Sequence, residues 1–414
     1  MCVARNMKAG NPLLSVSRLA FRLALLAGFA AVAPSAFAFP VDTKAREAYL
    51  VDYETGTVLY DKNGDVPMPP SSMSKLMTTA MVFERLKEGS LSFDDVFRVS
   101  QTAWRKGGAA SGGSTMFLAP NSEVRVEDLL RGVIIQSGND ACIALAENLM
   151  GTEEAFASAM NKKAKEIGLT GSYFMNSTGL PDEGHVMTPR DLAVLAKYLI
   201  RHFPEYYSMY AEKEFTHNKI RQQNRNPLLY TMTGADGLKT GHTSAAGYGL
   251  TASAQRGDRR LILVINGLKS MQERADEANR LMDWGFANFE NRTLFVAGDA
   301  VSSADVWLGE QEIVPLAVAQ DVRLTLPRRA SRNLEMKAVF TGPVPAPVQK
   351  GQPVGTLRIS GTDMAQAIEI PLVAAADVQK LGLFGRIGAA INHMLFGAAH
   401  KDDGETVLTV SAKS

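Results

Sequence analysis

The chain has 414 residues, 46% of them hydrophobic and 21% charged, which excludes a disordered chain and a membrane protein of many spans. That length exceeds what one hydrophobic core usually serves, so two domains are expected. The formal net charge is +1 with no long basic run, so nucleic acid is not an expected partner.

The first residues depart from this average. Arg5, Lys8, Arg18 and Arg22 precede an apolar run from Leu23 to Ala33, followed by Pro34 and Ala36-Phe37-Ala38. A basic start, an apolar stretch too short to span a bilayer and a small-x-small site read as a signal peptide over residues 1–38, cleaved after Ala38. Its removal takes the net charge from +1 to −3, and export is the expectation. Cys2 leaves with it. Cys142 then stands alone in the apolar run Ala141–Leu145, where it reads as a buried small hydrophobe.

Ala48–Asp52 and Thr57–Tyr60 are strand-like runs around Glu54-Thr55-Gly56 and predict a hairpin. Pro69-Pro70-Ser71-Ser72-Met73-Ser74-Lys75 follows, and the apolar spacing of Leu76, Met77, Ala80, Met81 and Phe83 predicts a helix beginning near Ser72. Lys75 then lies one turn on, on the same face. The free N–H groups of a helix start also point a partial positive charge at any oxyanion formed on Ser72. Taken alone, S-x-x-K is a weak pattern, equally consistent with a capping serine and a surface lysine. The glycine- and serine-rich stretch Gly107–Ser114 has no strand–helix context for phosphate and reads as a loop near the cleft.

Helical patterning resumes over Glu127–Val133, Asp140–Met150 and Glu153–Ile167, with Ser137-Gly138-Asn139 at the first break. Thr188 caps a helix over Asp191–Arg201, and Asn176–Gly184 is loop. Lys239-Thr240-Gly241 immediately precedes two strand-like runs, Gly247–Ala254 and Arg260–Ile265, and Glu273–Phe289 is a long amphipathic helix. The succession S-x-x-K, S-x-N and K-T-G changes the reading of the first motif, because the three together mark acyl-serine enzymes. Ser72 would be the nucleophile and Lys75 its base, the amine kept neutral by the second cation Lys239. Ser137 suits a proton relay to the leaving nitrogen, and Asn139 would hold the substrate amide or Lys75. The backbone N–H groups of Ser72 and His242 would form the oxyanion hole, so His242 contributes main chain rather than its imidazole.

After Asn291 short strand-like runs take over at Val306–Leu308, Asp321–Leu326, Met336–Thr341, Val354–Ile359 and Ala367–Leu372, separated by Pro and Gly signals. Beyond them Phe384, Ile387, Ile391, Met394 and Leu395 share one helical face. This predicts an amphipathic helix lying in a membrane interface or packed on the β-rich domain, with a polar tail after Lys401. The expected organisation is a signal peptide (1–38), a catalytic domain (39–290), a β-rich domain (291–376), and a helix with its tail (377–414). Six scattered histidines without ligand spacing give no metal site, and no cofactor is expected.

From about Ala48 to Leu372 the chain resembles the low-molecular-weight penicillin-binding proteins, serine-type D-alanyl-D-alanine carboxypeptidases. The segments that carry the resemblance are Pro69–Thr78, Gln136–Ala141, and Asp236–Thr243 followed by Ala246-Gly247-Tyr248. The resemblance implies a transpeptidase/β-lactamase-like α/β (α+β) domain, a smaller C-terminal all-β domain and a C-terminal amphipathic helix. That helix would hold the enzyme peripherally on the periplasmic face of the cytoplasmic membrane. It implies peptidoglycan stem peptides as substrate and β-lactam antibiotics as covalent inhibitors. It places Thr240, Arg225 and Arg274 near the substrate's terminal carboxylate, and Gly241, His242 and Thr243 along the binding strand. Ser74 stands where the family commonly has threonine. Three other readings share the residues: a D,D-endopeptidase, a β-lactamase, and a non-catalytic envelope scaffold. A class A β-lactamase needs a glutamate-held water, and Asn176–Gly184 contains Asp182 and Glu183 but no E-x-x-L-N pattern.

Overall fold

The computed structural model describes residues 41–329, 334–361, 364, 366–383, 385, 387 and 405–410. Strands β1 (Glu47–Asp52) and β2 (Val58–Lys62) form the expected hairpin. Its turn is closed by Asp52, whose carboxylate accepts from the N–H groups of Glu54 and Thr55. Two small two-stranded sheets lie outside the main sheet, β3 (Val96–Arg98) with β4 (Glu123–Arg125), and the hairpin β5 (Glu214–His217) with β6 (Ile220–Gln223). Strands β7 (Ala235–Thr243), β8 (Gly247–Arg256) and β9 (Arg259–Leu268) complete a five-stranded antiparallel sheet of order β2-β1-β9-β8-β7.

Both faces of this sheet are covered, which is why β8 and β9 read as long apolar runs. The helix Met271–Asn288 packs on one face through Ala278, Leu281, Met282 and Phe286. On the other face lies a larger helical core built around Leu76, Met77, Val82 and Phe83 of the helix Lys75–Lys87. That helix has buried side chains almost all round, so it is the central rod of the domain rather than a surface element. Helices Asn139–Met150, Glu153–Ile167 and Pro189–His202 pack around it. Cys142 is fully buried in this core.

The helix predicted over Glu273–Phe289 ends at Asn288, and β10 (Phe289–Phe295) continues directly from it to pair with β13 (Val322–Pro327). The junction with the β-rich domain is polar: Asn291 donates to Asp52 and accepts from Thr325. Strands β11 (Ala300–Trp307), β12 (Ile313–Val318), β14 (Leu334–Thr341), β15 (Val344–Pro345), β16 (Pro353–Gly361), β17 (Ile368–Ala374) and β18 (Glu405–Val410) form a seven-stranded sheet, ordered β15-β11-β12-β17-β16-β14-β18. Its core includes Val314, Leu316, Ala338, Leu357, Ile359 and Leu372. The tail expected to be a free polar segment instead supplies β18, which pairs antiparallel with β14 from Met336↔Val410 to Thr341↔Glu405. The run Thr406-Val407-Leu408-Thr409-Val410 is rich in β-branched residues, which suits a strand.

Most of the amphipathic helix expected over 377–401, including Phe384, Ile391, Met394 and Leu395, lies outside the described residues. Among the described residues no helix is long and apolar enough to cross a membrane.

Candidate active site

Ser72 sits in a 3-10 turn, Ser71–Ser74, that leads straight into the helix Lys75–Lys87. This turn packs against β7, the edge strand of the sheet, and against its neighbour β8. The approach needs glycine at 241: a Cβ there would stand 3.0 Å from the Pro70 carbonyl oxygen and 3.1 Å from Ser71 Cβ. The nucleophile turn and the third motif are thus held side by side, with His242 one residue beyond the contact.

Lys75 is fully buried, and its Nζ has a complete set of acceptors. It donates to Ser72 Oγ at 3.0 Å, to Asn139 Oδ1 at 2.7 Å and to the main-chain carbonyl of Thr178. Burial pushes its pKa down to about 8, the Arg225 cation adding to the effect while the Asp140 and Glu153 carboxylates oppose it. Lys239, also buried, is held well below the usual lysine range, first by burial and then by the charge of Lys75. The expectation that repulsion from Lys239 lowers Lys75 is therefore corrected: removal from water is the larger cause, and the cation that adds to it is Arg225. Lys239 donates to the Thr240 carbonyl at 3.0 Å.

The second motif is placed by backbone geometry. Ser137 follows a π-turn over Gly132–Gln136 and adopts a left-handed conformation, φ 65° and ψ 32°. Such a conformation is unfavourable for a residue with a Cβ and persists only when its surroundings fix it. Three anchors do so, and two are backbone bonds: Asn139 N–H donates to the Ser114 carbonyl at 2.8 Å, and Gly138 N–H to the Gly132 carbonyl at 2.9 Å. The third anchor, Asp140, carries no role in the sequence reading. Its buried carboxylate accepts from Thr115 Oγ1 (2.6 Å) and from the N–H groups of Met116 (3.0 Å), Leu118 (3.1 Å) and Ala141 (3.0 Å). The signal was an acidic residue in the first turn of an otherwise apolar helix. Ser137 Oγ is buried on the cleft wall without a hydrogen-bond partner among the described residues, a hydroxyl free to move a proton.

Ser72, Ser114 and Ser137 line a cleft with a volume of about 470 Å³. Arg225, exposed at the rim, donates to Ser114 Oγ at 2.6 Å. Arg274 is 6% exposed and lies over the Tyr248 ring at 5.8 Å. Its Nη2 makes only a long bond to the Arg225 carbonyl, and Nε is unpaired, so this guanidinium fork retains donors facing the cleft wall. Thr240, Gly241 and His242 line the same cleft, the His242 ring stacked on Tyr248 at 3.9 Å. Thr243 lies one step out, its hydroxyl bonded to Ser71 at 3.3 Å. The catalytic and substrate-binding residues expected from the sequence all lie in this one region. The Thr178 carbonyl was not legible, because a main-chain acceptor leaves no residue-type signal. Asp182 and Glu183 are exposed on their loop. Among the described residues no group of three His, Cys, Asp or Glu side chains gathers to hold a metal.

A family model described as D-alanyl-D-alanine carboxypeptidase matches residues 31–270, and one for the penicillin-binding protein 5 C-terminal domain matches residues 289–380. The D-alanyl-D-alanine carboxypeptidase DacC of Escherichia coli (strain K12) is 42% identical over 365 residues, covering 86% of this chain and 90% of the relative. Penicillin-binding protein 5 from Haemophilus influenzae superposes with a TM-score of 0.73 at 36% identity, over 83% of this chain and 99% of that one. Penicillin-binding protein D2 from Listeria monocytogenes, in its ampicillin-bound form, superposes with a TM-score of 0.53 at 30% identity, over 60% of this chain and 99% of that one. Sequence, fold and cleft agree that the chain belongs to the D-alanyl-D-alanine carboxypeptidase family, the serine peptidases among the low-molecular-weight penicillin-binding proteins.

Proposed function

We propose that this serine carboxypeptidase removes the terminal D-alanine of peptidoglycan stem pentapeptides through an acyl-enzyme on Ser72. The observation that carries the assignment is the buried Lys75 amine, 3.0 Å from Ser72 Oγ and with its pKa lowered to about 8. Neutral Lys75 takes the Ser72 proton as Oγ attacks the carbonyl of the penultimate D-alanine. The negative charge formed on that oxygen is received by the N–H groups of Ser72 and His242. Collapse breaks the peptide bond, and the proton passes from Lys75 through Ser137 to the departing amine. Water then attacks the ester, with Lys75 again the base, and Ser72 is regenerated. Lys239 lies buried close enough for its charge to be coupled to that of Lys75, and Asn139, which accepts from Lys75, keeps the amine aimed at Ser72. Arg225, Arg274 and Thr240 receive the terminal carboxylate, while Gly241, His242 and Thr243 present the edge of β7 to the peptide.

β-Lactams carry the same carbonyl in a strained ring and acylate the same serine. The signal-peptide pattern over residues 1–38 supports export and a periplasmic site of action. The apolar face at Phe384, Ile387, Ile391, Met394 and Leu395 supports peripheral membrane contact.

The test is D-alanine release from a pentapeptide muropeptide by the chain lacking residues 1–38, beside Ser72→Ala. Release by the wild type alone is expected, together with loss of covalent penicillin labelling in Ser72→Ala. Cleavage of cross-linked muropeptides without D-alanine release would make the enzyme a D,D-endopeptidase. Rapid turnover of penicillin would make it a β-lactamase. Labelling that survives Ser72→Ala would move the nucleophile elsewhere.

A further inference from the structure

The loop after the helix Glu153–Ile167 reaches back to the nucleophile helix and touches it at two points one turn apart. The Ser177 carbonyl accepts from Thr78 Oγ1 at 2.6 Å, and the next carbonyl, that of Thr178, accepts from Lys75 Nζ. The loop is braced on both sides of these carbonyls. Asn176 Oδ1 accepts from the N–H groups of Thr178 (3.1 Å) and Gly179 (2.8 Å) and from the Thr178 hydroxyl (2.9 Å). Glu153, in the first turn of its helix, accepts from Ser177 N–H at 3.1 Å and Ser177 Oγ at 2.6 Å through one oxygen, Oε1.

We propose that Glu153, acting through Ser177, is a positioning residue for the Ser72–Lys75 pair: it fixes the loop carbonyl that aims the Lys75 amine at Ser72. The proposal rests on Lys75 being the base. Three acceptors surround Nζ: Ser72 Oγ, Asn139 Oδ1 and the Thr178 carbonyl. Of these only the carbonyl belongs to a loop, and a loop carbonyl is only as well placed as the bonds that hold its backbone. Glu153 supplies two of those bonds from a rigid helix. It is also one of the few anionic groups bearing on Lys75. Another is Asp140, on the helix Asn139–Met150, which also carries Cys142, an un-ionised thiol with its pKa pushed up to about 12 by burial; the basic groups are Lys239 on β7 and Arg225 at the rim.

The experiment measures acylation by a fluorescent penicillin, separating the first-order acylation constant from the pre-covalent binding constant, across pH 6 to 10. Wild type and Ser72→Ala set the limits and test the nucleophile on their own. Glu153→Ala is expected to lower the acylation constant about tenfold or more, as small displacements of a reacting group do. Its binding constant should stay within about twofold, since nothing in the cleft wall is removed. Its acidic limb should move to lower pH, because the Lys75 ammonium loses a well-placed acceptor and a nearby anion. Glu153→Gln keeps an amide oxygen for both Ser177 donors and should recover to within about threefold of wild type. Ser177→Ala, which removes one hydroxyl and leaves the N–H bond, guards against misfolding of the Glu153 variants and should fall between them. Unchanged acylation in a folded Glu153→Ala or Ser177→Ala overturns the proposal. A loss in Glu153→Gln equal to that in Glu153→Ala overturns the hydrogen-bond route. Loss of labelling in none of the variants, Ser72→Ala included, would instead refute the nucleophile.

Discussion

Asp140→Asn separates the scaffolding of the second motif from its chemistry. The carboxylate of Asp140 is wholly buried, with Oδ1 accepting from the N–H groups of Met116 and Ala141 and Oδ2 from Leu118 N–H and the Thr115 hydroxyl. Asparagine can keep one oxygen facing the first pair. Its NH₂ must then face the second pair, where the Thr115 hydroxyl can rotate to accept but the Leu118 N–H has nothing to donate to. One charge-assisted bond disappears and a buried donor is left unpaired, which together cost about 3 kcal/mol. For a catalytic domain of this size, about 3 kcal/mol lowers the melting temperature by about 6–12 °C. The strained Ser137 conformation depends on the same 115–118 segment, so penicillin acylation should fall by more than the unfolded fraction accounts for. A calorimetric melt and a stopped-flow acylation assay on the same preparation read both. A melting temperature within about 2 °C of wild type, with normal acylation, would refute the reasoning, since it would mean that the buried Leu118 N–H had been satisfied without its acceptor.

Three other perturbations probe different parts of the molecule. With the Lys75 pKa at about 8, acylation should rise with pH through that value as the amine loses its proton, and a kcat/KM profile should show this acidic limb. The same depression has a stability consequence: folded Lys75 gives up its proton at lower pH than an unfolded lysine, so stability should increase between about pH 8 and pH 10, read by denaturant melts of wild type against Lys75→Met. Gly179→Ala should abolish acylation in any protein that folds, because φ is +75° there and the new Cβ would fall 1.9 Å from the Ser71 carbonyl oxygen. Ending the chain at residue 404 removes β18 and bares the edge of β14. That variant should acylate at the wild-type rate yet aggregate more readily on light scattering as the β-rich domain warms.

How much of this was legible in the sequence follows from what a residue type can announce. Ser72, Lys75, Ser137, Asn139 and Lys239 are reactive or hydrogen-bonding groups at fixed spacings, and the hairpins and helices around them carry plain periodic patterns. Strands β10 and β12 were less legible. Phe289–Phe295 continues a helix without a breaking residue, and Ile313–Val318 carries a proline, which tells against a strand. In the fold Pro315 pairs with Ser303, leaving the ladder intact on either side. β18 was misread because a six-residue strand after a long separation gives only a local signal, and its partner β14 lies more than sixty residues earlier in the chain.

The site shows the same division more sharply. What the sequence could name are side chains that react, and what it could not name are the acceptors that keep them in place. Lys75 illustrates why the second set decides the chemistry. A buried amine with no acceptors would be displaced from Ser72 or driven further below its working pKa, whereas one held by too much negative charge would stay protonated. The site meets these opposed demands by giving Nζ three neutral oxygens at bonding distance and leaving the carboxylates of Asp140 and Glu153 outside its hydrogen-bond shell. Both carboxylates are instead engaged in bracing backbone, Asp140 under Ser137 and Glu153 under Thr178. Two anions that would have quenched the base as direct partners therefore support it from one residue further away.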